Sequence, residues 1–405
     1  MIEKYDVLVI GGGLVGATLA LALADQPIKI GIVESSNIYQ STNQKNQPAL
    51  ALSKASVNIL STLGLSVALQ AVATTINTVH VSSVGQLGQT RISAADIRLD
   101  SLGQVIPAQS LLTVLRDAVR KKSHIKWLSP AHLQHLERTD TGYRVAVKMG
   151  EDVTTLDTNL LVAADGSDSL VRNLLGIAVK TWNPLQTALT AILTTSQPHQ
   201  GIAYERFAQS GPLAALPLPG QQYALVWVLS TAQSQKLYQQ DDAAFLRGLQ
   251  QAWGYRLGRI LQVENRQALK LHSLCALQQV APGAVLLGNA AHTLHPIAAQ
   301  GLNLSLRDTA ALAQILIEAI KAGQNPGALM VLEKYRAWRE PEQTRVLRFT
   351  EALNNIFSST FLPVKLARNA GLCGLGMMSP IRNMLAKQAI GLSGKMPKLI
   401  CGLKY

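Results

Sequence analysis

Three glycines near the start of the chain have the spacing of a phosphate-binding turn. Gly11, Gly13 and Gly16 form a Gly-x-Gly-x-x-Gly motif directly after residues 5–10, an apolar run that predicts a buried strand. In such a motif the first glycine permits a tight turn, the second lets the backbone approach a pyrophosphate, and the third allows a helix to pack closely. A glycine-rich structural turn without a ligand is the alternative.

A carboxylate follows at the position where a nucleotide ribose would lie. Residues 14–24 are rich in Ala and Leu and predict a helix, and residues 29–33 predict a second strand, so the three segments form a β-α-β unit. Glu34 ends that strand, and its carboxylate can accept hydrogen bonds from an adenosine ribose. The unit favours a bound dinucleotide but does not distinguish NAD from FAD.

Length and composition limit the class of protein. A chain of 405 residues suits two interleaved domains, and 48% hydrophobic against 15% charged residues argues against disorder. No run of about 18 apolar residues occurs, so we expect no membrane-spanning helix. The helix at 14–24 imitates the core of a signal peptide, but Glu3 and Asp6 precede it and the glycine motif interrupts the apolar run.

The cysteines favour a reducing cytoplasm. Cys275, Cys373 and Cys401 are far apart and contain no Cys-x-x-Cys pair, so neither a disulfide framework nor a zinc site is indicated. His292 and His295 have a spacing of i, i+3, but the sequence offers no third ligand nearby and a proline follows directly. We therefore predict a cytoplasmic protein with no bound metal.

The remaining elements indicate two sheets. Residues 187–230 are rich in strand signals, with a Pro-Leu-Pro-Gly turn at 217–220, and predict a second, mostly antiparallel sheet. The other predicted elements are helices at 53–63, 110–122 and 302–320 and strands at 143–148, 160–164 and 285–287. These elements predict an α/β fold with more than one domain.

Two later motifs carry a family resemblance. Residues 162–172 read Val-Ala-Ala-Asp-Gly-Ser-Asp-Ser-Leu-Val-Arg and resemble the Asp-Gly motif of flavoprotein aromatic hydroxylases. Residues 288–303 resemble the Gly-Asp motif that contacts the FAD ribityl chain and pyrophosphate, followed by the loop against the isoalloxazine. With the glycine motif, these stretches stand in the family's order over nearly the whole chain, and the sequence is most similar to the ubiquinone-biosynthesis hydroxylases.

The resemblance implies a fold and a division into domains. It implies an α/β protein with a Rossmann-like FAD-binding domain of the aromatic hydroxylase type, a second, mostly antiparallel β-sheet substrate domain, and a C-terminal helical tail. The FAD-binding domain would be discontinuous. The implied boundaries are 1–75, 101–178 and 270–345 for the FAD-binding domain, 76–100 and 179–269 for the substrate domain, and 346–405 for the tail.

The resemblance also implies the site residues. In the loop against the flavin ring the candidates are Pro296, Gly301 and Asn303, with no clear acid or base among them. Gly301 would let the backbone lie against the flat ring, and the Asn303 amide would hydrogen-bond its edge. The residues assigned to FAD binding are Gly11, Gly13, Gly16, Glu34, Gln109, Asp165, Gly166, Arg172, Gly288 and Asn289.

The implied activity is that of a monooxygenase. NAD(P)H would reduce FAD, O₂ would form a flavin hydroperoxide, and a polyprenylated (methoxy)phenol would be hydroxylated. The sequence has no second Gly-rich β-α-β unit, which agrees with the family's transient NAD(P)H docking. The residues expected to roof an apolar substrate pocket are Phe207, Pro212, Leu213, Leu216, Pro217 and Trp227, each of which is otherwise ordinary core. The alternatives are a flavin reductase of an apolar substrate and a non-catalytic flavin-binding member of a biosynthetic assembly; the halogenase signature is absent.

Three positions depart from the family pattern. Pro48 stands where relatives carry an arginine, and Lys45 is a substitute for the missing contact. The stretch after Val105 is shorter than in relatives by a few residues, although Gln109 remains available for the adenosine side. Asn289 replaces an aspartate, which keeps a hydrogen-bonding amide and removes a charge.

Positive charge is concentrated near the end of the chain. The net charge is +13, and residues 344–405 contain nine basic residues and one acid, which gives +8. The bases alternate with apolar stretches, a pattern that suits an anionic membrane surface or a complex of ubiquinone biosynthesis. A solvated helical face is the equally weighted alternative. Nucleic acid is not favoured, because no known binding module is present.

Overall fold

The structure, a computed structural model, describes residues 2–38, 48–85, 88–182, 185–208, 210–295, 299–358, 371, 374 and 378–405. Its strands are β1 (Glu3–Ile10), β2 (Ile30–Val33), β3 (Ala49–Ser53), β4 (Thr74–Ile76), β5 (Thr78–Ser83), β6 (Gln89–Ser93), β7 (Gly103–Pro107), β8 (Ile125–Leu128), β9 (His132–Arg138), β10 (Tyr143–Met149), β11 (Asp152–Ala163), β12 (Val179–Trp182), β13 (Gln186–Thr195), β14 (Ile202–Ala208), β15 (Gly211–Leu218), β16 (Gln222–Ser230), β17 (Ile260–Lys270), β18 (Ser273–Ala276), β19 (Val280–Ala281), β20 (Ala284–Leu286) and β21 (His292–Thr293). Its helices are α1 (Leu14–Leu23), α2 (Lys54–Thr62), α3 (Ser66–Gln70), α4 (Ala108–Arg120), α5 (Leu170–Leu174), α6 (Thr231–Tyr238), α7 (Asp242–Trp253), α8 (Gln300–Lys321), α9 (Leu329–Ser358) and α10 (Ser379–Ala389).

An eight-stranded mixed sheet organises the first part of the molecule. Its central order is β19-β20-β11-β1-β2-β8, and β20, β11, β1, β2 and β8 run parallel. The β9-β10 hairpin extends it from β11 in antiparallel pairing. Consecutive residues of β1, such as Val7, Leu8 and Val9, are all fully buried, because helices cover one face of the sheet and the hairpin and α5 cover the other.

Helix α1 is apolar on all sides, which fits its position between the large sheet and two other helices. It contacts α4 and α8 as well as the sheet, and residues 16–23 are buried. This packing accounts for the apolar run that imitates a signal peptide. Helix α8 lies beside it and buries most of its own length against α1, α2 and α9.

A seven-stranded sheet forms the second layer. Its order is β17-β13-β16-β15-β14-β5-β6, and neighbouring strands are antiparallel except β14 and β5. Its outer face packs against the apolar side of α7, including Phe245 and Trp253. Its inner face meets a small sheet of order β3-β7-β4, where Val105 and Ile76 pack against Ala203. A third small sheet has the order β12-β18-β21.

One long helix spans the predicted start of the C-terminal region. Helix α9 continues from Leu329 to Ser358 through Pro341, so the boundary expected between 345 and 346 falls inside one helix. The last residues return to the first domain, where Leu399 and Ile400 are buried. Over the described part of the chain, no helix is long and apolar enough to cross a membrane.

Candidate functional site

The three motifs lie at one edge of the large sheet. The last residues of β2, β1, β11 and β20 are register neighbours, since Ile10 pairs with Val33 and Ala163, and Ala163 pairs with Leu286. The glycine motif follows β1, the Asp-Gly motif follows β11, and the third motif follows β20. Ligands of α/β proteins bind at this carboxyl edge.

The glycine motif forms an open, uncapped helix N-terminus. Gly11 has φ +105, and a Cβ there would lie 2.3 Å from the Ala164 carbonyl oxygen. A Cβ on Gly16 would lie 1.9 Å from the Gly11 carbonyl oxygen, so both positions require glycine. A Cβ on Gly13 would meet no protein atom within 4 Å, and no side chain caps α1. The free N–H groups therefore face open space and can bind a phosphate.

Glu34 fixes the glycine turn through both of its carboxylate oxygens. Its Oε2 accepts a hydrogen bond from the Gly12 N–H at 2.7 Å, and its Oε1 accepts one from the Ser36 N–H at 2.9 Å. Arg116 of α4 donates from Nε to the Gly12 carbonyl at 3.2 Å and lies 3.7 Å from Glu34 Oε1. Arg116 is not among the predicted site residues, although it lies seven residues after Gln109 and thus on the same face of α4.

The Asp-Gly motif combines an unsatisfied carboxylate oxygen with a structural arginine. Asp165 Oδ2 accepts a hydrogen bond from the Val171 N–H at 3.1 Å, whereas Oδ1 is buried and has no partner among the described residues. Arg172 is buried and donates to the carbonyls of Ser167 and Ala290 at 2.9 and 3.1 Å. Arg172 therefore holds the second motif against the third, while Asp165 keeps an acceptor for a ligand.

The third motif lies against the first turn of α1. Gly288 has φ +64, and a Cβ there would lie 3.1 Å from a methyl group of Val15. The next residue, Asn289, is exposed. The Leu287 N–H donates to the Ala163 carbonyl at 2.8 Å, which continues the β11–β20 pairing into the motif. Asn289 is thus presented beside the α1 N-terminus.

The loop expected against the flavin ring leads into a second uncapped helix. Pro296 lies outside the described residues. Ala299 precedes α8 with φ 51, an unfavourable backbone conformation for a residue with a Cβ, and no side chain caps the helix. A Cβ on Gly301 would meet no protein atom within 4 Å, so space remains beside the first turn of α8.

The Asn303 amide is occupied by protein groups. Its Oδ1 accepts hydrogen bonds from the Ser53 N–H at 2.8 Å and the Ser56 hydroxyl at 2.7 Å. Its Nδ2 donates to the carbonyls of Ala51 and Ala299 at 2.8 and 2.6 Å. The amide oxygen thus accepts two hydrogen bonds and the amide nitrogen donates two, which is the full capacity of the group. The expectation that this amide hydrogen-bonds the ring edge does not match the geometry, because Asn303 instead joins α8 to β3 and α2.

The two histidines after β20 have separate partners. His292 Nε2 lies 2.8 Å from Asp308 Oδ2, and His295 Nε2 lies 2.8 Å from Gln186 Oε1. Burial lowers the pKa of His295 to about 4, so its ring is neutral at pH 7. No group of three His, Cys, Asp or Glu side chains suited to a metal occurs in the described ranges.

The positions that depart from the family pattern keep the local fold. The Pro48 carbonyl accepts a hydrogen bond from the Ala108 N–H at 3.0 Å, where α4 begins. The shortened stretch after Val105 forms the end of β7, which pairs with β3 up to Pro107. Lys45 lies outside the described residues. Gln109 is part-exposed in the first turn of α4, close to the glycine motif through Arg116.

These groups fit FAD. The uncapped α1 suits a pyrophosphate, the Glu34 carboxylate suits a ribose, and the orphaned Asp165 Oδ1 is an acceptor that needs a donor. The α8 N-terminus, with open space at Gly301, suits the electron-rich end of a flavin ring.

Comparisons with known proteins agree with this geometry. The family model described as "FAD binding domain" matches residues 4–350. The chain is 31% identical to the ubiquinone hydroxylase UbiL of Rhodospirillum rubrum, covering 98% of this chain and 93% of that protein. It is 28% identical to the 3-demethoxyubiquinol 3-hydroxylase of Escherichia coli, covering 96% and 99%.

Solved structures match the fold over the same extent. The p-nitrophenol 4-monooxygenase PnpA from Pseudomonas putida DLL-E4 superposes with a TM-score of 0.79 at 17% identity, covering 97% of this chain and all of that one. The predicted fold class is therefore confirmed, as is the FAD cofactor, and the family uses NAD(P)H. The chain belongs to the FAD-dependent aromatic monooxygenases, within the ubiquinone hydroxylase family.

Proposed function

We propose that this protein hydroxylates a polyprenylated methoxyphenol in ubiquinone biosynthesis, with NAD(P)H and O₂ as co-substrates. The observation that carries the proposal is the inner face of the seven-stranded sheet, which turns an apolar surface toward the β3-β7-β4 sheet beside the α8 N-terminus. Bound FAD would supply the chemistry that activates O₂. The protein's own task is then to hold an apolar ring there and to exclude water.

Strand alternation decides which of the expected roof residues face that space. Phe207, Pro212 and Leu216 lie on the inner face. Leu213, Pro217 and Trp227 lie on the opposite face, where Leu213 and Trp227 join the core under α7. Successive side chains of a strand point to opposite sides. Three of the six expected roof residues therefore lie on the outer face, away from the proposed substrate space.

The substrate assignment rests on relatives and local resemblance. Two relatives are named as a ubiquinone hydroxylase and a 3-demethoxyubiquinol 3-hydroxylase. Within the branch, three stretches resemble the enzymes that act on 2-octaprenyl-6-methoxyphenol, namely residues 78–82, 205–214 and 253–258. A prenyl chain needs apolar surroundings, and the inner face carries apolar side chains. A flavin-dependent reductase of an apolar substrate is the second candidate for the same surface.

The site residues keep their proposed roles in FAD binding. Gly13 would let the pyrophosphate approach the α1 N-terminus, Gly11 and Gly16 would shape the turn, and Glu34 and Gln109 would contact the adenosine side. Asp165, with its unsatisfied oxygen, and Asn289, which is exposed, would contact the chain that joins the two halves of FAD. Gly301 would face the ring. Gly166 and Gly288 have positive φ and shape the turns.

A basic surface near the C-terminus supports a proposal of peripheral membrane contact. Helix α10 exposes Ile381 and Met384, which are 40% and 62% exposed, with Lys387 one turn farther on. Apolar side chains beside bases suit an anionic lipid surface. Co-sedimentation with anionic but not neutral vesicles is the expected result, and no sedimentation with either would exclude this contact.

Product analysis tests the proposed function. Purified protein with bound FAD is incubated with NADH or NADPH and a short-chain prenylated methoxyphenol, and NAD(P)H oxidation and product mass are measured. We expect phenol-stimulated oxidation and a product heavier by one oxygen atom. Oxidation that transfers hydrogen to the substrate without added oxygen would instead support the reductase.

A further inference from the structure

One acidic side chain lies in the middle of the apolar inner face. Glu205 is in β14, where it pairs in register with Val81 of β5 and Ala214 of β15. Ala203 and Phe207, two residues to either side, are inner-face residues, whereas Tyr204 belongs to the outer core under α7. Because side chains alternate along a strand, the Glu205 carboxyl points inward, toward the proposed substrate space.

The row of residues across the sheet at Glu205 remains partly accessible. Val81, Glu205, Ala214 and Val226 occupy neighbouring positions on four adjacent strands, and each is only half-buried. In the next row toward the end of β14, Phe207 and its neighbours Pro212 and Val228 are buried. The accessible surface is therefore confined to a strip of the inner face, and Glu205 is the ionisable residue in that strip.

The Glu205 carboxyl has no protein partner. Within the described residues it makes no hydrogen bond and no ion pair, although protein atoms surround it. The side chain is half-buried, so its unpaired oxygens remain within reach of a ligand. A ligand that hydrogen-bonds the carboxyl would supply the partner that the protein does not.

Burial alone controls the ionisation of Glu205. Burial raises the pKa of this carboxyl to about 8, and no charged neighbour contributes. The inner-face neighbours on β5, β15 and β16 are uncharged, and so are the residues of β4 and β7 that pack against β15. Helix α9 also contacts β15, but its charged residues Arg345, Arg348 and Glu351 are exposed. The carboxyl is therefore mostly neutral at pH 7.

We propose that Glu205 hydrogen-bonds the phenol oxygen of the substrate, and that it thereby selects uncharged phenols over carboxylated ones. This proposal rests on the proposed function. The carboxyl can accept a hydrogen bond from the phenol hydroxyl on one oxygen and donate one to the neighbouring methoxy oxygen from the other. A substrate carboxylate would find no cation in the accessible strip and would lie beside an acid, which penalises its binding.

Binding measured as a function of pH tests this assignment. The probe is a short-chain prenylated methoxyphenol, its dissociation constant is followed through the flavin absorbance of the FAD-loaded enzyme, and pH runs from 6 to 9. A phenol with a pKa near 10 stays largely uncharged over this range. We expect the dissociation constant of the wild-type enzyme to be flat below pH 7 and to increase severalfold by pH 9, because ionisation removes the hydrogen that the carboxyl donates to the methoxy oxygen.

Two variants separate recognition from packing. Glu205→Gln keeps a neutral donor and acceptor, so its dissociation constant should stay within a few-fold of wild type at pH 7 and show no rise up to pH 9. Glu205→Leu should weaken binding roughly tenfold at pH 7, because the phenol oxygen loses its partner. Glu264→Gln, an exposed acid of β17 in the same sheet, is the matched control and should keep the wild-type profile.

The outcomes distinguish this proposal from the proposed function. A rise with pH that persists in Glu205→Gln, or equal binding of the phenol and its carboxylated analogue by wild type, would overturn the role of Glu205. If wild type binds the phenol with the expected pH profile but forms no oxygenated product, the hydroxylase proposal fails while recognition by Glu205 stands. Flavin content and unfolding midpoints close to wild type verify that each variant is folded.

Discussion

At the scale of single residues, the site depends on side chains that hydrogen-bond other protein groups and so position the turns around the ligand. Asn303 uses its whole amide to join α8 to β3 and α2. Arg172 likewise uses its guanidinium to join two motif turns. Backbone groups and one hydroxyl satisfy the Asn303 amide, and two carbonyls accept from the terminal nitrogens of Arg172, whereas Arg172 Nε has no partner among the described residues. Both residues therefore position the turns that would contact FAD.

Asp165 is the residue whose substitution should most directly affect flavin retention. Asp165→Ala removes the acceptor for the Val171 N–H and the orphaned Oδ1 together. We expect FAD binding to weaken by roughly 10- to 150-fold, since a hydrogen bond to a charged group contributes roughly 1.5–3 kcal/mol. The measurement is the ratio of flavin to protein absorbance after dialysis. Asp168→Ala, exposed in the same turn, is the control; equal flavin content in both variants would remove Asp165 from the site.

At the scale of elements, the end of the chain completes the first domain. Asn58 and Thr62 of α2 donate to the carbonyls of Ile400 and Leu399 at 3.1 and 2.9 Å. The Tyr405 hydroxyl donates to the Ala310 carbonyl of α8 at 2.6 Å. The last residues of the chain therefore hold the two helices that lie behind the flavin loop.

Truncating one side chain of this segment should destabilise the whole protein. Ile400 is 3% exposed, and Ile400→Ala should lower the free energy of unfolding by about 2–5 kcal/mol through lost burial and a cavity. Urea unfolding followed by circular dichroism measures the change. Leu403→Ala, at a position 58% exposed, should change stability by less than about 0.5 kcal/mol. Similar effects at the two positions would show that the segment does not pack as described.

At the scale of the whole molecule, a buried charge network links the elements behind the site. Asp308 of α8 lies 2.8 Å from His292 and 2.6 Å from Arg339 of α9. Arg339 also pairs with Glu342, which in turn lies 2.7 Å from Arg307. Burial opposes ionisation of Asp308, but Arg339 and His292 outweigh it and hold the pKa of Asp308 below its usual value. The network joins the loop after β20 to both long helices.

Removing the central charge should cost stability in a pH-dependent way. Asp308→Asn leaves the buried Arg339 without its full partner, so we expect a loss of roughly 3–5 kcal/mol at pH 7. Because the folded-state pKa of Asp308 is lowered, its contribution is present above about pH 4, the unfolded value, and declines as pH falls toward the folded value. The difference in unfolding free energy between wild type and variant should therefore narrow from pH 7 to pH 3.

A matched surface substitution controls for general effects of lost charge. Asp117→Asn removes an exposed partner of Arg120, and exposed pairs contribute only about 0–1 kcal/mol. The unfolding free energy of wild type, Asp308→Asn and Asp117→Asn is obtained from urea unfolding at pH 7 and at pH 3. If the difference in unfolding free energy between wild type and Asp308→Asn stays constant with pH, the Asp308 carboxyl is not held ionised by its neighbours.

The sequence alone determined the elements and motifs that depend on local patterns. The β-α-β unit, the second antiparallel sheet and the order of the three motifs follow from apolar periodicity and from glycines that only particular turns require. Helix α2 was expected at 53–63 and occupies Lys54–Thr62 with Ser53 as its cap, because the capping hydroxyl is itself a local signal.

The tertiary structure decided which face and which partner each side chain takes. Leu213 and Leu216 are equally apolar in sequence, yet they lie on opposite faces of the sheet, because alternation depends on the strand register. Asn303 accepts a hydrogen bond from Ser53, which is 250 residues away in the chain. Glu205 has no hydrogen-bond partner on the two neighbouring strands, because the residues beside it there are Val81 and Ala214. Contacts between distant segments depend on how the sheets and helices pack, and sequence spacing does not encode them.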